Sequence, residues 1–156
     1  MGKAITSDNI IAAPLWRAQI ENLYVEAMVL ADEAFAGFAA TRDLGSGGGG
    51  GLMPINLACE SLKTTTRLMH IVAWLLHQRA MLAGEPSAHA QDSAAYIGAP
   101  IPADWGVCQH FDASLSRIIL ASERLFDRIA ALESGQRTQA GPPPVRQLMA
   151  RLEARF

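Results

Sequence analysis

The stretch CESLKTTTRLMHIVAWLLHQRAMLAGE, residues 59–85, decides the fold. It predicts one long helix that starts near Pro54 or Ile55 and stops at Gly84, where Gly followed by Pro86 ends it. Leu57, Ser61, Thr64, Leu68, Ile71 and Leu75 form one seam along it. Ala58, Leu62, Thr65, Met69, Val72 and Leu76 form a second seam beside the first. A helix apolar over most of its circumference belongs in the middle of a bundle, covered by several neighbours. The two seams present more apolar area than two further helices cover in one layer. A homodimer with its contact on this second helix is therefore expected. Thr64, Thr65 and Thr66 are poor helix formers, because β-branched side chains lose rotamer freedom, so tertiary packing must hold that turn.

Upstream, a first helix is predicted from Pro14, a residue suited to an opening turn, to about Asp43. Trp16, Ile20, Leu23, Ala27, Leu30 and Ala34 trace one stripe at alternating spacings of four and three. Tyr24, Ala31, Phe35 and Phe38 widen it, while Arg17, Glu21, Asp32 and Glu33 lie off it. Between the two helices, residues 45–51 are a flexible glycine-rich loop, since each Gly forfeits backbone entropy on ordering. It is no phosphate-cradling loop: no strand precedes it and no Gly-Lys-Ser/Thr follows.

Downstream, residues 84–110 are irregular by composition, with room for a short helix in Ser87–Tyr96. A third long helix is predicted from about Asp112 to Ser134 and ended by Gly135. Phe111, Leu115, Ile118, Ser122, Leu125, Ile129 and Leu132 carry its four-three spacing. The expected fold is all-α: a three-long-helix antiparallel bundle over residues 1–135, then a proline-rich linker and a short C-terminal helix over 136–156. Val145, Leu148, Met149 and Leu152 give that last helix an apolar strip ringed by Arg146, Arg151 and Arg155. It is too short to stand alone, so it either packs back on the bundle or is held out for a partner.

Half of the 156 residues are hydrophobic and 18% are charged, which predicts a packed single domain rather than disorder. A net charge of -2 supplies no basic face for nucleic acid. Every apolar run is broken by a charged residue or His before it could span a bilayer, so no membrane partner is expected. Met1–Ile11 lack the regions of a signal peptide, and Cys59 and Cys108 read as reduced thiols, so the expected compartment is the cytoplasm.

Catalytic and metal-binding sets are missing from the pattern, and no cofactor is expected. Cys59 and Cys108 lack identifiable oxyanion donors and are read as small buried apolar residues. Glu26, Glu33 and Glu60 are read as helix-surface carboxylates. The rival reading is a small helical-bundle metal- or ligand-binding enzyme with its site near His70, Trp74 and His77. Against it, bundle metal sites pair Glu with a His three residues on, and Arg67 stands three before His70. Arg67 and Arg79 interrupt the apolar circumference of the second helix. They are either anchors at a protein interface or partners of first-helix carboxylates such as Glu26 or Asp32.

Several exact residues carry a resemblance. Glu60-Ser61-Leu62, Thr65-Thr66-Arg67-Leu68-Met69, Trp74-Leu75-Leu76, Gln78-Arg79-Ala80 and Gly84-Glu85 are similar to the central helix of the family of regulators of CtrA degradation. Ser122, Leu125, Phe126, Arg128 and Leu132 resemble its Ser-x-x-Leu-aromatic-x-Arg pattern in the third helix. The resemblance implies a homodimeric three-helix bundle of an alphaproteobacterial cell. It also implies a noncatalytic adaptor that delivers cell-cycle regulators to the ClpXP protease. The interaction residues expected on this reading are Arg67, Leu68, Trp74, Leu75 and Arg79 on the bundle, and Val145, Leu148, Met149 and Leu152 in the tail. The glycine run departs from the family's usual linker.

Overall fold

The computed structural model describes residues 7–45, 51–85, 95–140 and 152. They form α1 (Ser7–Gly45), α2 (Met53–Leu82), the single turn α3 (Trp105–Cys108) and α4 (Ala113–Ala140), with no strand among the described residues. The all-α expectation holds, and the three long helices pack on one another. The predicted stripes supply most of the core: Ile20, Leu23, Ala27, Leu30, Ala34 and Phe38 from α1, and Leu57, Leu68, Ile71 and Leu75 from α2, joined there by Trp74, which neither seam contained. Phe111 before α4 and Leu115, Ile119, Leu125, Phe126 and Ile129 along it complete the core; Ile119 and Phe126 lie beside the predicted stripe, whose Ile118 and Leu132 are only partly buried.

The helix ends differ from the sequence prediction in instructive ways. α1 begins seven residues before Pro14 and keeps helical geometry through it, forfeiting the one hydrogen bond that Pro cannot donate. α4 runs on past Gly135, where a Cβ would meet nothing within 4 Å. A glycine in an exposed helix costs only about 1 kcal/mol relative to Ala. Side chains beyond it still tie in, with Arg137 reaching back to Glu133 at 2.6 Å and Thr138 to the Ser134 carbonyl at 3.0 Å. At the other end Asp112 caps α4, accepting from the Ser114 amide at 3.1 Å. α2 stops as predicted: Gly84 takes the left-handed conformation (φ 74°), and the Glu85 amide donates to the Ala80 carbonyl at 3.1 Å. The threonine turn is held partly by its own chemistry, since the Thr66 hydroxyl donates back to the Leu62 carbonyl at 2.8 Å.

Helix direction is the main departure from a simple antiparallel bundle. Arg79 pairs with Glu21 and Arg17 donates to the Leu82 carbonyl, so α2 runs antiparallel to α1. Arg128 pairs with Glu26, and Gly37 lies against Ile118 and Leu115, so α4 is also antiparallel to α1. α4 therefore runs parallel to α2, as the Arg67–Ser122 and Gln78–Gln136 contacts show. Two consecutive parallel helices need a connection that travels back along the bundle. Residues 97–108 do this as an extended strap laid over the α2/α4 groove, ending in α3.

α1 and α4 pack tightly at Gly37, where an added Cβ would sit 3.1 Å from Ile118 Cδ1. A branched side chain there pushes the helices apart. Gly37→Val is expected to lower stability by about 1–3 kcal/mol in urea unfolding, the usual cost of overpacking. No loss would show that Ile118 swings aside freely.

Candidate functional site

Among the described residues a dense set of polar side-chain contacts lies under the strap. Arg67 is 1% exposed. Its Nε and Nη2 donate to the Ile101 carbonyl at 3.0 and 2.6 Å, and its Nη1 donates to Ser122 Oγ at 2.5 Å. Burial pulls this guanidinium below its ordinary range, and the Glu123 and Glu60 carboxylates act in the opposite sense. Three glutamates hold the strap's main chain beside it. Glu133 accepts from the Ile97 amide at 2.8 Å, Glu123 from the Ala103 amide at 2.7 Å, and Glu60 from the Asp104 amide at 3.2 Å. Glu123 also accepts from Trp105 Nε1 at 2.9 Å. The strap is thus fixed through its backbone by side chains of α2 and α4.

Glu60 corrects the sequence reading, which placed it on the surface. It is 1% exposed and pairs with Lys63 at 2.7 Å, a contact that raises the Lys63 pKa. Arg67 is corrected as well: it neither faces a partner protein nor pairs with α1. The strap was illegible as a partner because its recognition group is a backbone carbonyl. Arg79 does pair with α1, but with Glu21 at 2.9 Å, and it stacks 4.4 Å over the Tyr24 ring. Glu26 is taken by Arg128 at 2.6 Å.

Leu68, Trp74 and Leu75 lie in the core at 5%, 0% and 0% exposure, so this fold gives them packing rather than contact with another chain. The outer seam of α2 is what stays uncovered: Leu62, Met69 and Leu76 are exposed. Facing Met69 and Leu76 across an open groove stand Ala31, Phe35 and Phe38 of α1, with Arg42 at one end; Leu62 lies outside it. Phe35 is 77% exposed, a large cost for an aromatic side chain unless something covers it. No residue of α4 lines this groove.

A family model, DUF1465, described as a protein of unknown function, matches residues 12–156. The chain belongs to the DUF1465 family. No curated protein and no solved structure matches it significantly. The family match takes in the described bundle from residue 12 onward, so core, strap and uncovered groove all fall within the DUF1465 region.

The three residues of the rival reading differ in burial in this DUF1465 chain. Trp74 is wholly buried, while His70 is exposed beside Gly98 and His77 is half-buried. Among the described residues no three His, Cys, Asp or Glu side chains converge as a metal site would need. No described helix is long and apolar enough to cross a membrane. Val145, Leu148 and Met149 lie outside the described residues, as does the glycine run at 46–50; Leu152 is helical and 57% exposed.

The cysteines part company. Cys59 is exposed, against the expectation of burial, and Cys108, the last residue of α3, is buried. Burial, reinforced by the Glu60 charge, pushes the Cys108 thiol up to about 12. Thiolate is the reacting form. Iodoacetamide at neutral pH is therefore expected to label Cys59 readily and Cys108 only on unfolding, as read by peptide mass spectrometry. Equal labelling of both would show that the strap opens.

Proposed function

We propose that this chain is a noncatalytic adaptor that binds proteins and assists regulated ClpXP proteolysis of cell-cycle regulators in the cytoplasm. The observation that carries the protein-binding part is the uncovered apolar face between α1 and α2, where Phe35 and Met69 stand exposed on a rigid two-helix platform. The contrast with the other buried chemistry supports it. The charged groups of the α2/α4 groove are spent on holding the strap, which leaves them no substrate to act on. The protease and the cell-cycle clients come from the likeness of Glu60–Glu85 and Ser122–Leu132 to the regulators of CtrA degradation. The homodimer comes with that likeness.

Purified chain added to ClpXP should accelerate degradation of a cell-cycle regulator that ClpXP alone degrades slowly, without itself being consumed. No acceleration with any such regulator from the native cell overturns the adaptor reading. Light scattering at micromolar concentration should give twice the 16.7 kDa chain mass. A monomer there overturns the homodimer.

A further inference from the structure

The α2/α4 groove shows what this bundle does when it holds an extended segment. Four side chains, Glu60, Arg67, Glu123 and Glu133, are aimed at main-chain groups of the strap. An extended backbone carries unpaired amides and carbonyls, and seating it without such partners leaves them buried and unsatisfied. The α1/α2 groove is built differently. Its rim is Phe35, Met69 and Leu76 over a floor that includes Ala31, Ala34 and the buried Phe38, and its uncharged polar lining is Ser61 and Thr65 alone. A helix brings its own backbone bonds already made, and small floor residues let it sit close.

One charge stands at the edge. Arg42 lines the groove in the last turn of α1 and has no ion pair among the described residues. The chain's own tail, which carries Arg146, Arg151 and Arg155 against Glu153 alone, would bring net like charge to it.

We infer that the α1/α2 groove is a docking site for an amphipathic α-helix of a protein partner, with a carboxylate on that helix meeting Arg42. This rests on the protein-binding reading above and names the kind of partner segment it takes. Phe35 and Met69 are the apolar contacts, and the flexible Met69 thioether adapts to different helix faces. Arg42 sets which way the helix lies.

The test uses fluorescein-labelled amphipathic peptides of about 18 residues, with Leu at i, i+3, i+4 and i+7 and either Glu or Lys at the termini. A third probe repeats the Glu peptide with two central prolines, which break the helix. Anisotropy titration with the full chain should rank Glu above Lys by about tenfold, attraction and repulsion adding. The proline probe should not bind. Arg42→Glu should reverse the ranking, and Phe35→Asp or Met69→Asp should abolish binding while the helical circular dichroism is kept. Equal binding of the proline probe, an unchanged ranking with Arg42→Glu, or no binding by any probe overturns the inference. A dimer that Phe35→Asp turns into a monomer overturns it too, and assigns the groove to a second copy. If Phe35→Asp still accelerates ClpXP degradation as the natural chain does, the groove inference falls and the adaptor reading stands. If the natural chain accelerates nothing, the adaptor reading falls and the peptide titrations decide the groove alone.

Discussion

Arg67→Ala is expected to cost about 3–5 kcal/mol, the range for breaking a buried charge arrangement by removing one member. The Ile101 carbonyl loses both of its guanidinium donors, Ser122 Oγ loses another, and the Glu60 and Glu123 charges lose the cation between them. For a domain of this length that is a drop of roughly 10–15 °C in melting temperature. Arg67→Lys should recover little of it, because one ammonium cannot reproduce a planar fork that reaches two elements at once. The loss should also be the same at low and high protein concentration. An interface anchor behaves otherwise: its removal costs more where association contributes to stability. A variant within 1 kcal/mol of the natural chain by urea unfolding would show that the strap does not depend on this residue.

That prediction turns on a residue whose role was open in the sequence, and the reason is physical. Helical periodicity reports which side of a helix is apolar, so the stripes from Ile20 to Ala34, from Leu57 to Leu75 and from Leu115 to Ile129 were legible and form the core. Periodicity is silent on what a buried polar group meets. Glu60, Arg67 and Glu133 fall on inward positions, and the sequence offered only other side chains as partners. The structure supplies backbone instead, from a strap whose proline- and glycine-containing composition reads merely as irregular. The same blindness hid the direction of α4. Nothing in a seven-residue repeat says which end a connection returns to, and only the strap's anchors at Glu133 and then Glu60 show that it runs back along the bundle.

The groove was half legible. Two seams were visible on α2, and the excess of apolar area was the right inference from them. Which seam the bundle covers depends on where α4 lies, and that follows from the crossover. The seam of Leu57, Leu68, Ile71 and Leu75 went inward, so the residues first singled out as contacts became core and their neighbours at Leu62, Met69 and Leu76 stayed outside. Phe35 was legible only as a broadening of the α1 stripe, because one position decides between the edge of a core and the rim of a groove.

A matched pair of substitutions on α2 separates the two seams. Leu75→Asp puts a carboxylate at a site with 0% exposure, among apolar neighbours that offer no counter-charge. The lost Leu packing alone is about 2–5 kcal/mol. The uncompensated carboxyl group adds several more, or ionises only at raised pH. The sum approaches the whole stability of an ordinary domain, roughly 5–15 kcal/mol, so the variant should be unfolded or molten at 25 °C. Met69→Asp makes the same chemical change on a side chain that is 64% exposed. Its expected cost is within about 0.5 kcal/mol, with helical circular dichroism and urea midpoint preserved. Comparable damage from both would mean that Met69 is covered in the working molecule, by a second copy or another part of the chain. Comparable tolerance would mean that Leu75 is not in the core, and the assignment of the two seams would then have to be reversed.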